Sequence, residues 1–306
     1  MPSSTIAIAG FTGKLASLIT KSLLTRHPNV RIHGICRTPS KVPAEYLSHP
    51  NIQVFGADSQ DSAALRRGLS GASTCICCYL GDDKLMVEGQ KILIDACIAE
   101  KVPRYIASDW SLDFRRLEFG EHPRKDAMKH IQAYLEEKEG RGEINRVHIL
   151  NGGFMDVVTS PFAPWMNLKE GVVRYWGTGD EKVDMTTYED AASFTAEIAV
   201  DDDSNGFIEG TFLGDSKSPK EMAEVYKKVY GVEPKVERLG SWDDLHVKMT
   251  AIFNENQSNM YSWIGLYYQY AMGKEKTRLW KVENHRYPSV KPKTLEDFLA
   301  LKKNST

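Results

Sequence analysis

Ile6-Ala7-Ile8-Ala9-Gly10-Phe11-Thr12-Gly13-Lys14-Leu15-Ala16 joins a short apolar run to two glycines and the start of an amphipathic helix. Four apolar residues in succession suit a strand buried on both faces, as in a parallel sheet. Gly10 follows where a side chain would block a tight turn and the approach of a phosphate. Gly13 lets the backbone come close to that phosphate. The helix that follows, with Leu15, Leu18, Ile19 and Leu23 recurring along it, offers N–H groups and the positive end of its dipole. The spacing is G-x-x-G-x-x-A rather than G-x-G-x-x-G, and in a chain with 23 glycines the match draws its weight from strand, turn and helix following in order. We therefore expect Gly10, Phe11, Thr12, Gly13, Lys14 and Leu15 to seat the pyrophosphate of a dinucleotide. The plainer alternative is a glycine turn before an ordinary helix.

Working outward, residues 5 to about 150 alternate apolar strands with helical stretches, the pattern of a doubly wound parallel sheet in an α/β fold. Strands are expected at 5–9, 30–36, 52–55, 74–79, 103–107 and 146–150, and helices at 13–26, 61–70, 84–100 and 123–139. After residue 150 the alternation gives way to a segment rich in Gly, Pro and aromatics. Two pieces are expected to return to the sheet, a strand at 183–187 with its helix 189–199 (together about 183–200), and one around 207–215. Further helices near 219–230, 242–254 and 259–272 belong to a smaller lobe. The expected division is a dinucleotide-binding domain over 1–155 and a mostly substrate-binding lobe over 156–306.

At 306 residues the chain can bury a full core, and Lys+Arg 39 against Asp+Glu 41 leaves a net charge of −2, with no basic field for nucleic acid. No apolar run reaches the about 18 residues of a membrane span, and the N-terminus lacks the charged and apolar regions of a secretory signal. We expect a cytoplasmic protein with no membrane or nucleic-acid partner, monomeric or homodimeric. Five cysteines, three of them at 75, 77 and 78 in one apparent strand, suit buried reduced thiols, and no metal-ligand spacing emerges.

A preference for NAD would place Asp or Glu at the end of the second strand. Here the run Ile35-Cys36-Arg37-Thr38-Pro39-Ser40-Lys41 carries two cations, and no carboxylate occurs between Gly10 and Glu45. A guanidinium and an ammonium suit a 2′-phosphate, so Arg37 and Lys41 favour NADP(H). The competing reading is a pair of solvated loop cations. Asp58, closing the third strand, is placed to accept from an adenine amino group or to cap the next helix.

Several stretches match one group together. With Gly10 to Ala16, Arg37 and Lys41 go Gly56-Ala57-Asp58, Gln90-Lys91-Ile92-Leu93-Ile94-Asp95-Ala96, Val102-Pro103-Arg104-Tyr105-Ile106, Ser108-Asp109-Trp110, Lys125-Asp126-Ala127-Met128-Lys129-His130, Asn151-Gly152-Gly153-Phe154-Met155-Asp156 and Trp263-Ile264-Gly265-Leu266-Tyr267-Tyr268. In this ordered set the chain resembles the NmrA-like and isoflavone-reductase-like branch of the atypical short-chain dehydrogenases, particularly its fungal oxidoreductases. The resemblance implies an extended Rossmann domain that binds NADP(H), with a smaller C-terminal lobe that closes on a small organic substrate, often aromatic or part of secondary metabolism. It also implies that a lysine on the helix after the fifth strand orients the nicotinamide ribose and handles a proton.

Two lysines compete for that place, Lys125 and Lys129, one turn apart on one helix face. The Lys-Asp-x-Met text fits Lys125, the distance to the helix end fits Lys129, and a solvated helix face is the bland alternative for both. Tyr134 and Lys138 repeat the Tyr-x-x-x-Lys spacing of standard short-chain dehydrogenases, but thirteen tyrosines in a lysine-rich chain produce about one such match by chance. Ser108 and Asp109 close the fifth strand, where side chains meet ligands in such folds. Asp109 is a candidate acid or base, or a cap for the turn after it. The resembling reductases commonly carry Ser-Glu-Phe-Gly here, so Ser108-Asp109-Trp110 departs from them. Leu80 and Gly81 follow the fourth strand beneath the expected nicotinamide, and Asn151, Gly153 and Phe154 end the sixth as a wall beside the substrate. Tyr261, Trp263, Tyr267, Tyr268 and Tyr270 are too dense for one helix face, so they divide between core and pocket.

The leading expectation is an NADP(H)-dependent oxidoreductase acting on a small aromatic or polycyclic metabolite. The alternatives are a redox sensor that binds NADP without turnover, and an isomerase or cyclase that uses the cofactor as a scaffold.

Overall fold

A computed structural model of the chain describes residues 4–162, 165–201 and 209–304. They divide into two compact units, which are described in turn.

The first unit takes in the described residues of Met1–Trp110, Asp126–Ile149 and Ala191–Gly210. Its strands are β1 (Thr5–Ala9), β2 (Arg31–Cys36), β3 (Ile52–Gly56), β4 (Thr74–Cys77), β5 (Arg104–Ile106) and β6 (Asn145–Leu150). All six pair in parallel, and Glu209–Thr211 completes a seven-stranded sheet beside β6, in the order Glu209–Thr211, β6, β5, β4, β1, β2, β3. The strand order reverses at β1, the crevice where open α/β sheets bind ligands. Successive strand side chains alternate between faces. Ala7, Ala9, Cys75, Cys77 and Tyr105 meet Leu65, Leu69, Leu93, Ile94, Ile131 and Leu135 from the helices Ser62–Leu69, Gln90–Ala99 and Pro123–Gly140. On the other face Thr74 Oγ1 and Arg104 Nη1 donate to the carbonyls of Ala199 and Ile198, and Arg26 of helix α1 (Lys14–Arg26) pairs with Glu197 at 2.6 Å.

The second unit holds two three-stranded sheets. One joins Asp215–Lys217, Val183–Thr186 and Gly153–Phe154; the other joins Lys235–Gly240, Val172–Trp176 and Met166–Asn167. Helices Pro219–Tyr230, Trp242–Glu255, Met260–Gly273 and Leu295–Asn304 pack with them. Ser218 and Ser241 begin two of these helices with reciprocal capping boxes, each worth about 1 kcal/mol. Trp176, Leu245, Trp263, Ile264 and Tyr267 form an aromatic core there.

Three expectations change. Val183–Thr186 lies in the separate sheet, paired with Gly153–Phe154 and Asp215–Lys217, not in the main one. Its four residues are all buried, so they read alike in either sheet, and only the partner strand decides. The piece around 207–215 reaches the main sheet only through Glu209–Thr211, while 207–208 lie outside the described residues. The stretch 84–100, expected as one helix, begins as a π-helix over Lys84–Gly89 and is α-helical over Gln90–Ala99. Apolar periodicity does not separate the two windings over six residues.

Candidate functional site

In the first unit, Ala9 lies opposite Ile35, so β1 and β2 release their chains side by side. The amides of Gly10 and Phe11 both donate to Ile35 O, and Gly13 N–H closes the turn on Gly10 O at 2.9 Å. Gly10 sits at φ +78, and a Cβ there would stand 2.6 Å from Cys78 O, so the turn has no room for a side chain. Phe11 is buried and packs its ring against the backbone at Gly34, holding the turn from inside. Thr12 and Lys14 are exposed. Helix α1 follows Gly13 with no side-chain cap and no acidic residue in its first turn, a helix start of the kind that suits an anion.

Arg37 and Lys41 follow β2, both exposed and neither with a side-chain partner among the described residues. A guanidinium and an ammonium are donors of the kind that suit a phosphate. Asp58 is exposed and turned back on its own chain, accepting from Gln60 N–H at 3.0 Å. Leu80 is 87% exposed, an apolar side chain left to water just past β4, and Gly81 adjoins it.

The corner after β5 is buried. Ser108 Oγ donates to Tyr79 O at 2.6 Å, and its amide meets Gln90 Oε1. Asp109 Oδ2 lies 2.7 Å from Nδ1 of His148 on β6, with both side chains sealed. Trp110 takes φ +37, rare for a bulky residue, and its indole N–H donates to Thr195 Oγ1 at 2.9 Å. The indole bond holds this strained backbone in place. The textual Tyr-x-x-x-Lys pair has another use: Tyr134 donates to Asp95 at 2.6 Å and Lys138 bridges Asp95 and Glu143. Burial and the Asp95 carboxylate push the Tyr134 phenol up to about 12. That direction is wrong for a proton donor.

In the second unit Lys125 is only 1% exposed. Lys129, which belongs to the first unit, is half-buried. Lys125 Nζ donates to Ser111 Oγ at 2.5 Å and to Tyr268 Oη at 3.0 Å, and stands 4.9 Å from the Tyr268 ring centroid. Ser111 is fixed by the backbone, because Asn151 N–H donates to its carbonyl and Ser111 bridges to Leu150. Asn151 is fully buried, with Oδ1 unpartnered among the described residues. Gly153 and Phe154 follow, and the Phe154 ring stacks on Tyr188 with centroids 3.7 Å apart. Burial by itself would push the Tyr268 phenol up, but the Lys125 charge and hydrogen bond, with Arg124 and Ser111, outweigh it and hold the phenol below the ordinary tyrosine range.

His122 is fully buried, its ring 4.7 Å from that of Tyr268, with no partner residue for either nitrogen among the described residues. Burial and then the Lys125 charge hold the imidazole well below its ordinary value, so it stays neutral in the folded chain. The unfolded chain takes up that proton below about pH 6.5, and the folded one does not. The unfolded state therefore binds more protons, and stability falls with falling pH, by about 1.4 kcal/mol per pH unit from this residue. His122→Phe should flatten this part of the acid dependence, read as the urea midpoint at about pH 7 and about pH 5. An unchanged slope in the variant would place the proton elsewhere.

Ser111, His122 and His148 carried no signal in the sequence, and Tyr268 stood there as one of five crowded aromatics. Lys125 meets Ser111 across 14 positions and Tyr268 across 143, so no local pattern announces the cluster. Among the described residues no group of His, Cys, Asp and Glu is placed to hold a metal ion, and no helix is long and apolar enough to cross a membrane.

The model of the NmrA-like family matches residues 2–299. The chain belongs to the NmrA-like family. A search of the curated proteins finds no match. Among solved structures, the NADPH complex of an NADPH-dependent quinone oxidoreductase from Escherichia coli is 21% identical, with 97% of this chain and 99% of that one covered at a TM-score of 0.74. The leucoanthocyanidin reductase–NADPH complex from Vitis vinifera is 18% identical over 97% and 99%, at 0.77. A protein solved with NADP+ and (+)-pinoresinol is 16% identical over 98% of both chains, at 0.79. This NmrA-like chain therefore has the extended Rossmann architecture, its parallel sheet accompanied by two smaller sheets.

Proposed function

We propose that this NmrA-like chain is an NADP(H)-dependent reductase of the atypical short-chain dehydrogenase type, acting on a small aromatic or polycyclic metabolite. The observation that carries the reading is the pair of exposed cations that follow β2, Arg37 and Lys41, in a unit whose β1 leads into an uncapped helix start. The turn from Gly10 to Leu15 seats the pyrophosphate and the two cations hold the 2′-phosphate. Asp58 is assigned to the adenine end. Leu80 offers its open apolar surface to the nicotinamide side with Gly81 and Ser108. Asn151, Gly153 and Phe154 are assigned to the substrate side. The bound cofactor supplies a hydride when reduced. The names of the solved relatives, which include NADPH and NADP+ complexes, support the same cofactor.

Between the two candidate lysines, the buried and doubly hydrogen-bonded Lys125 is assigned to proton handling, and the half-buried Lys129 to supporting the helix face. Asp109, locked on His148, orients that ring. The Phe154–Tyr188 stack and the rings of His122 and Tyr268 support a flat substrate.

Purified protein should oxidise NADPH with some member of a panel of enones and aromatic ketones, seen as loss of the reduced-nicotinamide absorbance. Arg37→Ala should weaken NADPH about 10- to 100-fold, the loss of a charge-assisted hydrogen bond of about 1.5–3 kcal/mol, and leave NADH nearly unaffected. Equal losses for both coenzymes would remove the 2′-phosphate from Arg37. Tight NADPH binding with no oxidation by any acceptor would replace the reductase with a redox sensor.

A further inference from the structure

We propose that Thr38 is a phosphorylation site through which a proline-directed protein kinase lowers the coenzyme affinity of this chain; the inference rests on the reading above that Arg37 and Lys41 hold a 2′-phosphate. Three Ser/Thr–Pro pairs occur in the sequence, Thr38-Pro39, Ser160-Pro161 and Ser218-Pro219. Of these, Thr38 alone has a cation three positions on, in Thr38-Pro39-Ser40-Lys41, the text that such kinases accept.

The three pairs also differ in what their hydroxyls do. Ser218 is 3% exposed, and its Oγ accepts from Glu221 N–H at 3.3 Å as a helix cap. Ser160 Oγ donates to Val157 O at 2.8 Å and accepts from Phe162 N–H at 3.3 Å. Thr38 is exposed together with Arg37, Pro39, Ser40 and Lys41, and its hydroxyl caps nothing. Proline keeps the residue before it out of the helical region, and Thr38 accordingly sits at φ −131, ψ 84. One short turn follows, with Lys41 N–H on Thr38 O and Val42 N–H on Pro39 O, both at 3.0 Å. A kinase that takes the segment in extended form has these two hydrogen bonds to open.

The transfer balances with ATP as co-reactant. Thr38 Oγ1 attacks the γ-phosphorus, the bond from that phosphorus to the β-bridging oxygen breaks, and ADP leaves. The hydroxyl proton passes to the kinase's catalytic carboxylate. The phosphothreonine carries about −1.5 to −2 charges at pH 7 and three strong acceptor oxygens. Arg37 directly precedes it and Lys41 follows one turn on, so both cations can turn to it in charge-assisted hydrogen bonds. The new phosphate therefore competes with the coenzyme's 2′-phosphate for the same two side chains and repels it. NADH, which has no 2′-phosphate, is spared. The coupling is reciprocal, so bound NADPH should slow the phosphorylation.

The test treats the full chain with MgATP and, in turn, a cyclin-dependent and a mitogen-activated kinase, then removes the nucleotide and titrates NADPH and NADH. Peptide masses should place the phosphate on Thr38 and show none at that position in Thr38→Val. Modified protein should bind NADPH about 10- to 100-fold more weakly and NADH nearly as before. Thr38→Glu, which needs no kinase, should show a smaller loss with the same selectivity. Saturating NADPH should slow the modification, and NADH at equal occupancy should not. No phosphate at Thr38 with either kinase overturns the proposal. So does phosphate at Thr38 that leaves NADPH affinity unchanged while Arg37→Ala still weakens it. If Arg37→Ala weakens both coenzymes equally, the 2′-phosphate reading falls and this inference with it.

Discussion

Gly10→Ala should abolish measurable NADPH binding and lower the stability of the chain by about 2–4 kcal/mol. Two costs combine. At φ +78 an L side chain is strained by about 1–2 kcal/mol, and the new methyl would lie 2.6 Å from Cys78 O and 2.9 Å from Cys78 C. Those atoms are backbone, fixed where β4 leaves the sheet, and Cys78 N–H donates to Ala9 O. The turn has to give way, and with it the donors proposed to hold the phosphate. Gly13→Ala is the milder comparison, since its φ of −76 suits any residue and its Cβ would meet Gly10 O at 3.2 Å, a tight contact that a shift of a few tenths of an ångström relieves. Thermal melts with and without NADPH distinguish the two: Gly10→Ala should melt lower and gain nothing from the cofactor. Gly13→Ala should keep its melting point and bind more weakly. A Gly10→Ala protein with wild-type affinity would mean that the phosphate does not sit on this turn.

Gly152→Ala should destabilise the second unit by about 3–5 kcal/mol, from overpacking together with a left-handed backbone. Gly152 has φ +69, and its Cβ would stand 2.3 Å from Asp184 O and 2.6 Å from Asp184 C. Asp184 cannot move cheaply. Its buried carboxylate accepts from Leu279 N–H at 2.8 Å and from Ser216 Oγ at 2.6 Å, with Arg278 at 3.5 Å. Pushing that strand aside therefore disturbs the sheet of Gly153–Phe154, Val183–Thr186 and Asp215–Lys217 as one piece. Hydrogen exchange should show protection lost first across these strands and around Leu279. Uniform loss across the chain would contradict this local origin.

The first unit was largely legible in the sequence because its signals are local. Ile6 to Ala9 is too apolar for an exposed strand, Gly10 marks the only kind of residue its turn accepts, and Arg37 follows β2 within a few positions of the paired glycine turn. The second unit was legible in pieces. Its helices show in their periodicity, but Val183–Thr186 has the composition of any buried strand, and the choice of sheet is made by Gly153–Phe154 and Asp215–Lys217, about 30 residues away on either side. Lys125 was visible as one of two lysines on a helix face. What separates it from Lys129 is burial against Ser111 and Tyr268, a property of the folded chain alone.

The thiols of the β4 strand bear on the substrates proposed for this chain. Enones are soft electrophiles that alkylate thiolates, so an enzyme offered them repeatedly is at risk of inactivating itself. Here all five cysteines are free. Burial pushes the thiols of Cys75, Cys77 and Cys78 well up, and that of Cys36 up as well, so they stay protonated and unreactive at neutral pH. The parallel sheet that delivers the chain to the glycine turn thus also keeps the thiols of Cys75 and Cys77 buried and protonated.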